Sequence, residues 1–218
     1  MTTAPPQSPI ALEIFSDVAC PWCYIGKKRL ARALSGSPFQ ANLRWRAFEL
    51  QPQLPPEGVE ARPYFLKKFG SAARLDAIFA QVTQAGKGEG IAFDFPKMTR
   101  AANTRLAHQL IALSAESGAQ DATVDALFWG NFEGGVDISK VDALIELVRD
   151  KKVPLDYDEL RGRLVANEAR AQVIADEEEA AALGISGVPF FIAQRKVALS
   201  GAQSPEVFRS FLEESLRA

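Results

Sequence analysis

The chain has 218 residues, 47% of them hydrophobic and 24% charged, with 15 Gly and 13 Pro, a globular composition that excludes collagen-like, disordered and low-complexity classes. At this length a core can be buried without disulfide staples. Lys and Arg total 25 against 27 Asp and Glu, a formal charge of −2, so no whole-molecule field draws the chain to nucleic acid or to an anionic membrane.

Met1–Pro9 holds three prolines and neither Lys nor Arg, and so lacks the basic and apolar regions of a secretory leader. No apolar run approaches the roughly 18–20 residues that a bilayer crossing needs. A cytoplasmic protein with no membrane partner is expected. Residues 10–15 read as a short interior strand, broken by Ser16 and Asp17. Both cysteines of the chain follow at once, in Cys20-Pro21-Trp22-Cys23. From Pro21 to Leu34 the pattern turns helical, with proline suited to the first turn. Cys20 is thereby expected at a helix N-terminus. A second strand spans Asn42 to Phe48, and the prolines of Gln51–Pro56 stop regular structure.

The next hundred or so residues carry helical periodicity and no convincing strand, as an inserted helical block would. Ser71 caps a helix with Leu75, Ile78, Phe79 and Val82 on one stripe, closed by Gly86. Thr99–Ala115 and Asp121–Phe132 follow, the latter stopped by Gly134-Gly135; Val141, Leu144, Ile145 and Val148 form another stripe behind Ser139. Asp156 with Glu159 resembles a capping box, opening a helical stretch that Gly162 is expected to interrupt before it resumes and stops at Gly184. Strand grammar then returns in Val188–Ile192 and Lys196–Leu199, an antiparallel pair. Ser204 and Pro205 open a last helix with Val207, Phe208, Phe211 and Leu212 buried.

The chemistry sits in the cysteines. At a helix N-terminus the unpaired amides and the positive end of the dipole favour an anion, which makes Cys20 the natural attacker. Cys23 lies one turn on, within reach of a mixed disulfide on Cys20, and is the resolving thiol. Zinc wants four N/S ligands, or three and a water, and the chain offers two Cys and the single His108. No metal is expected. A strand before the C-x-x-C and a basic helix after it are the context of a redox motif rather than of inert thiols.

Taken together, several strings carry a family resemblance: Asp17-Val-Ala-Cys-Pro-Trp-Cys-Tyr-Ile-Gly26, Phe48-Glu49-Leu50, Asn103-Thr104 with His108, Gly184-Ile-Ser-Gly-Val-Pro-Phe-Phe191 and Ser200-Gly-Ala-Gln203. From about Leu12 to Phe211 the chain resembles the DsbA-like thioredoxin family, in particular its FrnE-like branch. The resemblance implies an α/β thioredoxin fold, β-α-β then β-β-α, with a large all-helical insertion. The domains expected are a discontinuous thioredoxin-like unit, 10–60 and 167–218, and an inserted helical domain, 61–166. It further implies Cys20 and Cys23 as the redox pair, with Pro21 and Trp22 shaping the site. Pro189 is implied as a cis proline packed near the sulfurs, leaving the backbone of Val188 free to pair with an extended substrate.

His108 sits on a helix face with Thr104, Ile111 and Ala115, opposite Leu106, Leu110 and Leu113, counting about 100° per residue. A lone histidine there is first a structural residue. The functional alternative puts Asn103 or His108 in the substrate cleft, assisting deprotonation of Cys23. Trp22 is expected to offer partners an apolar surface beside the sulfurs. The activity expected is protein dithiol–disulfide exchange with protein or small-thiol partners, needing no cofactor beyond glutathione as an allowed co-substrate, in a monomer or a homodimer. Two alternatives stay open: a glutathione-dependent transferase or isomerase of the kappa-class or 2-hydroxychromene-2-carboxylate isomerase type, and a non-turnover redox sensor or chaperone-like binding module.

Overall fold

The computed structural model describes residues 9–218; the leader reading, apart from Pro9, falls on residues outside them. Strand β1 (Ile10–Ser16) runs parallel to β2 (Ala41–Ala47), with helix α1 (Pro21–Leu34) as the crossover. After a long helical stretch, β5 (Phe190–Ala193) returns antiparallel to β1, β6 (Val197–Ser200) pairs with β5, and α9 (Pro205–Ser215) ends the fold. The sheet order is β2-β1-β5-β6. This is the α/β thioredoxin arrangement.

A strand paired on both edges and covered on both faces is largely apolar, and β1 is so except for Glu13, which is paired with Arg46, and Ser16 at its end. Leu12 and Ile14 pack into a main core with Ile25 and Leu30 of α1, Phe191 of β5 and Phe208 of α9. Phe15 points the other way, into a smaller core with Ala180 and Ile185.

Between β2 and β5 lie α2 (Ala61–Phe69), α3 (Ala72–Lys87), α4 (Arg105–Ser114), α5 (Gln120–Trp129), α6 (Val141–Asp150), α7 (Tyr157–Val165) and α8 (Arg170–Ala182). Lys27 of α1 is buried, and its Nζ reaches Asp121 at 2.8 Å and Asp125 at 2.9 Å on α5. That contact joins the helical block to the first helix of the sheet layer. Arg46 of β2 makes the equivalent link to α8, through Asp176 at 2.6 Å and Glu179.

Several elements differ from the sequence reading. The helical block does contain strands, β3 (Val59–Glu60) and β4 (Arg100–Ala101), but each is two residues long and too short to show a period. α4 starts at Arg105, not near Thr99, because the chain first makes β4. β2 already ends at Ala47, before the prolines of Gln51–Pro56, and α2 follows them closely at Ala61. Gly162 lies inside α7 and does not interrupt it; the break falls after Val165, where Asn167 takes φ 55°, a left-handed conformation asparagine tolerates. β5 begins after Pro189, which lacks the N–H a ladder needs.

Candidate active site

Cys20 is the N-cap residue of α1 and Pro21 occupies the first turn. The capping side chain makes no hydrogen bond to the helix, so its sulfur is free to turn elsewhere. Its Sγ lies 3.7 Å from the carbonyl oxygen of Val188, to which the thiol donates. The Val188–Pro189 peptide bond is cis, and the Pro189 carbonyl accepts from the Gly201 amide at 2.8 Å. The loop before β5 is thus fastened to the loop after β6, directly against the first cysteine. Gly26 of α1 lets this loop approach: a Cβ there would stand 3.0 Å from Cγ of Pro189.

Both cysteines are free thiols. Cys23 is buried beneath Cys20, and its amide donates to the Cys20 carbonyl at 3.0 Å. Burial pushes the Cys23 thiol well above its ordinary range, and the Cys20 sulfur adds to the effect. The Ser16 hydroxyl and the Asp17 backbone act against it. The Ser16 hydroxyl is itself buried and has no hydrogen-bond partner among the described residues, so it acts on the thiol by proximity and not through a formed bond. A deeper thiol whose burial favours its protonated form, beside a slightly more accessible one, suits stepwise disulfide exchange.

Below the sulfurs the chain leaves β1 through Asp17, whose carboxylate accepts from the amides of Ala19 at 3.1 Å and Leu50 at 2.7 Å. Its Oδ1 stands 3.4 Å from Nε2 of His108. The separation and alignment make this a charge contact and not a directed hydrogen bond, since Nε2 has no aligned partner. Glu49 is buried next to it and is held by a two-pronged pair with Arg105, at 3.0 and 2.7 Å.

Cys20, Pro21 and Trp22 line a cavity of about 310 Å³ roofed by the helical block. Asn103 and His108, expected as candidates for the cleft, are not on its wall. Asn103 is spent on structure, its Nδ2 donating to the Leu54 carbonyl at 2.8 Å and its Oδ1 accepting from Arg105 N at 3.0 Å. His108 lies on a helix buried on most of its faces and reaches Asp17 instead. Tyr24 packs inward, stacked on Phe128 at 5.0 Å, with its hydroxyl 2.8 Å from Glu133.

In the sequence, Ser16 and Asp17 read as strand breakers and Glu49 only as part of a family string. Asp17 and Glu49 left a weak signal, each being an acidic residue just past a strand.

Comparison with known proteins agrees with this geometry. The model of the DSBA-like thioredoxin domain matches residues 11–213. A probable DsbA oxidoreductase from Streptomyces coelicolor is similar in structure, with a TM-score of 0.85 and 33% identity over 95% of this chain and 90% of that one. The cytosolic disulfide reductase DsbM from Pseudomonas aeruginosa, solved with GSH, has a TM-score of 0.67 at 21% identity, covering 95% of this chain and 100% of its own. A 2-hydroxychromene-2-carboxylate isomerase has 0.69 at 16%, covering 95% and 96%. At those two identities the likeness is one of fold. With nearly its whole length matched, this chain belongs to the DSBA-like thioredoxin domain family.

Proposed function

We propose that this protein is a thiol–disulfide oxidoreductase in which Cys20 attacks and Cys23 resolves. In the reducing direction the Cys20 thiolate attacks one sulfur of a partner disulfide, and the other sulfur leaves as a thiolate that takes up a proton. Cys23 gives up its proton and attacks Cys20 Sγ, which releases the second partner thiol and leaves a Cys20–Cys23 disulfide. Two electrons have passed to the partner, and the same steps reversed oxidise a dithiol. Protein or small thiols serve as partners, with glutathione as a co-substrate able to recharge the pair, and the cytoplasm is the compartment of action. The chemistry asks for no metal or bound organic cofactor.

The observation that carries this reading is the pairing of two free thiols in the first turn of α1 with the Val188 carbonyl 3.7 Å from the Cys20 sulfur. It is tested by equilibrating the protein in glutathione redox buffers and following Cys20–Cys23 oxidation through tryptophan fluorescence, Trp22 lying between the two cysteines. A reversible two-electron transition, lost in Cys20→Ser, is expected. If Cys20 instead stops as a stable glutathione adduct, a glutathione-dependent transferase or isomerase takes its place. If the pair oxidises but turns over no substrate, the chain is a sensor.

A further inference from the structure

The cavity beside Cys20 has a chemistry of its own. Its wall is built from Phe65 and Phe69 of α2, Phe79 of α3, Phe95 and Phe132. Phe79 and Phe95 stack with ring centroids 4.0 Å apart, and Phe65 meets Phe79 edge-on at 6.0 Å. These rings come from both sides of α3 in sequence and converge only in the fold. Such a surface takes up a flat apolar body by area and by ring-to-ring contact.

Two cations stand on the same wall, Lys68 and Arg100, and among the described residues no acidic side chain joins them. Lys68 is exposed and forms no ion pair among the described residues; its ammonium rests 5.9 Å from the Tyr64 and Phe69 rings. Arg100 gives one guanidinium nitrogen to the carbonyls of Glu57 at 2.7 Å and Gly58 at 2.8 Å, with no carboxylate partner among the described residues. The guanidinium is thereby aimed by neutral groups and keeps its charge and its other N–H groups for an anion. Elsewhere in this nearly neutral chain the buried cations Lys27 and Arg46 are matched by carboxylates.

We propose that this cavity binds a small disulfide, or the thiol made from it, that has a flat apolar body and a carboxylate. The body lies on the phenylalanines, the carboxylate on Lys68 and Arg100, and the reacting sulfur at Cys20. This substrate class deepens the oxidoreductase reading and rests on it. A volume of about 310 Å³ suits a small molecule and not a folded partner. Glutathione fits less well, because its ammonium and amide groups would lose water against an apolar wall. The step is the exchange given above: one disulfide and the reduced protein become two aromatic thiols and the Cys20–Cys23 disulfide, with no further reductant.

The test is a single-turnover reaction of reduced protein with four disulfides: dithiobis(nitrobenzoate), which is aromatic and anionic; dithiodipyridine, aromatic and neutral; cystamine, cationic; and oxidised glutathione. Each rate is divided by the rate of the same probe with free N-acetylcysteine. The normalised rate for the anionic aromatic probe should exceed the others by about tenfold or more, and the excess should shrink with salt, as single-sign clefts behave. Lys68→Gln, at an exposed position, should lower the ratio of anionic to neutral aromatic rates several-fold, and Arg100→Gln should do likewise. Equal normalised rates for all probes, a preference for oxidised glutathione, or a ratio unmoved by Lys68→Gln would each overturn the substrate class while leaving dithiol exchange standing. Failure to form the Cys20–Cys23 bond with any probe would instead overturn the oxidoreductase reading itself.

Discussion

The Asp17 carboxylate and the His108 imidazole meet in the interior, Oδ1 to Nε2 at 3.4 Å, with both side chains almost wholly buried. Burial alone would push the imidazole down; the Asp17 charge, with Glu49 and Glu177 behind it, overcomes this and raises it above its usual 6.5. A histidine raised in the folded state contributes stability below its unfolded value, and that contribution is lost as pH rises through the folded value. The wild-type protein should therefore lose stability from about pH 6 upward through this group, and His108→Gln should lack that part of the slope. At low pH the variant should be less stable by about 1–3 kcal/mol, the usual cost of stranding a buried polar partner. Urea unfolding across pH reads both, and parallel curves would remove the charged pair. An unchanged exchange rate and pH profile in the variant would also confine His108 to structure.

Cys23 sets a second pH dependence. Once Cys20 is in a mixed disulfide, its own influence on Cys23 is gone, yet burial, the largest cause of the raised thiol, remains. Only the thiolate attacks. Resolution should accelerate by about tenfold per pH unit through the neutral range, following the thiolate fraction. Ser16→Ala removes a group that favours the thiolate and should slow resolution several-fold at fixed pH while the first attack proceeds at its old rate. Rapid mixing with a chromogenic disulfide separates the two steps; equal slowing of both would deny Ser16 this part.

Two helical glycines should answer alanine in opposite ways. Gly162 in α7 has nothing near its missing Cβ, so Gly162→Ala should stabilise by about 0.5–1 kcal/mol, the ordinary propensity gain. At Gly26 the same methyl would come within 3.0 Å of Pro189 Cγ, 3.5 Å of Phe191 Cζ and 3.6 Å of Ala202 Cα. Overpacking of this kind typically costs about 1–3 kcal/mol. Gly26→Ala should thus be destabilising, and it should also slow exchange, because the displaced loop carries the Val188 carbonyl that meets Cys20. Thermal unfolding of the two variants side by side decides it.

These residues also show how far a sequence can be read. α1 was legible to its ends because Pro21 at the first turn and a continuous amphipathic pattern mark it locally. The C-x-x-C at its start was legible for the same reason. The break between α7 and α8 was misplaced onto Gly162 because the left-handed residue there is Asn167, which carries no punctuation as strong as glycine. α2 passed unread, being short and carrying Pro63 in its first turn. The face of α4 that holds His108 could be counted, but not that Asp17 would stand opposite, since helical period says nothing about the partner. The cavity was invisible for a related reason: its rings are scattered between Phe65 and Phe132, and each alone reads as ordinary core.

Arg46 offers the sharpest test of what holds α8 to the sheet. Its guanidinium is buried and bonds Glu13 at 3.1 Å, Asp176 at 2.6 Å and Glu179. The dependence is not symmetric. Glu13 keeps Arg195 at 3.1 Å if Arg46 is lost, and Glu179 keeps Arg195 at 2.9 Å. Among the described residues Asp176 keeps only neutral donors, Ala47 N at 3.0 Å and Gln172 Nε2 at 2.9 Å, and it is buried. Arg46→Met should then cost about 3–5 kcal/mol, as unpairing a buried charge does, with a fall in Tm on the order of 10 °C for a chain of this size. Most of that cost is the stranded Asp176 charge, so adding Asp176→Asn to Arg46→Met should recover part of the stability, although Asp176→Asn alone is destabilising. A double-mutant cycle by denaturant unfolding measures the coupling. Additive losses would mean that packing of α8 on β2, and not this ion pair, fastens the helix beneath the active site.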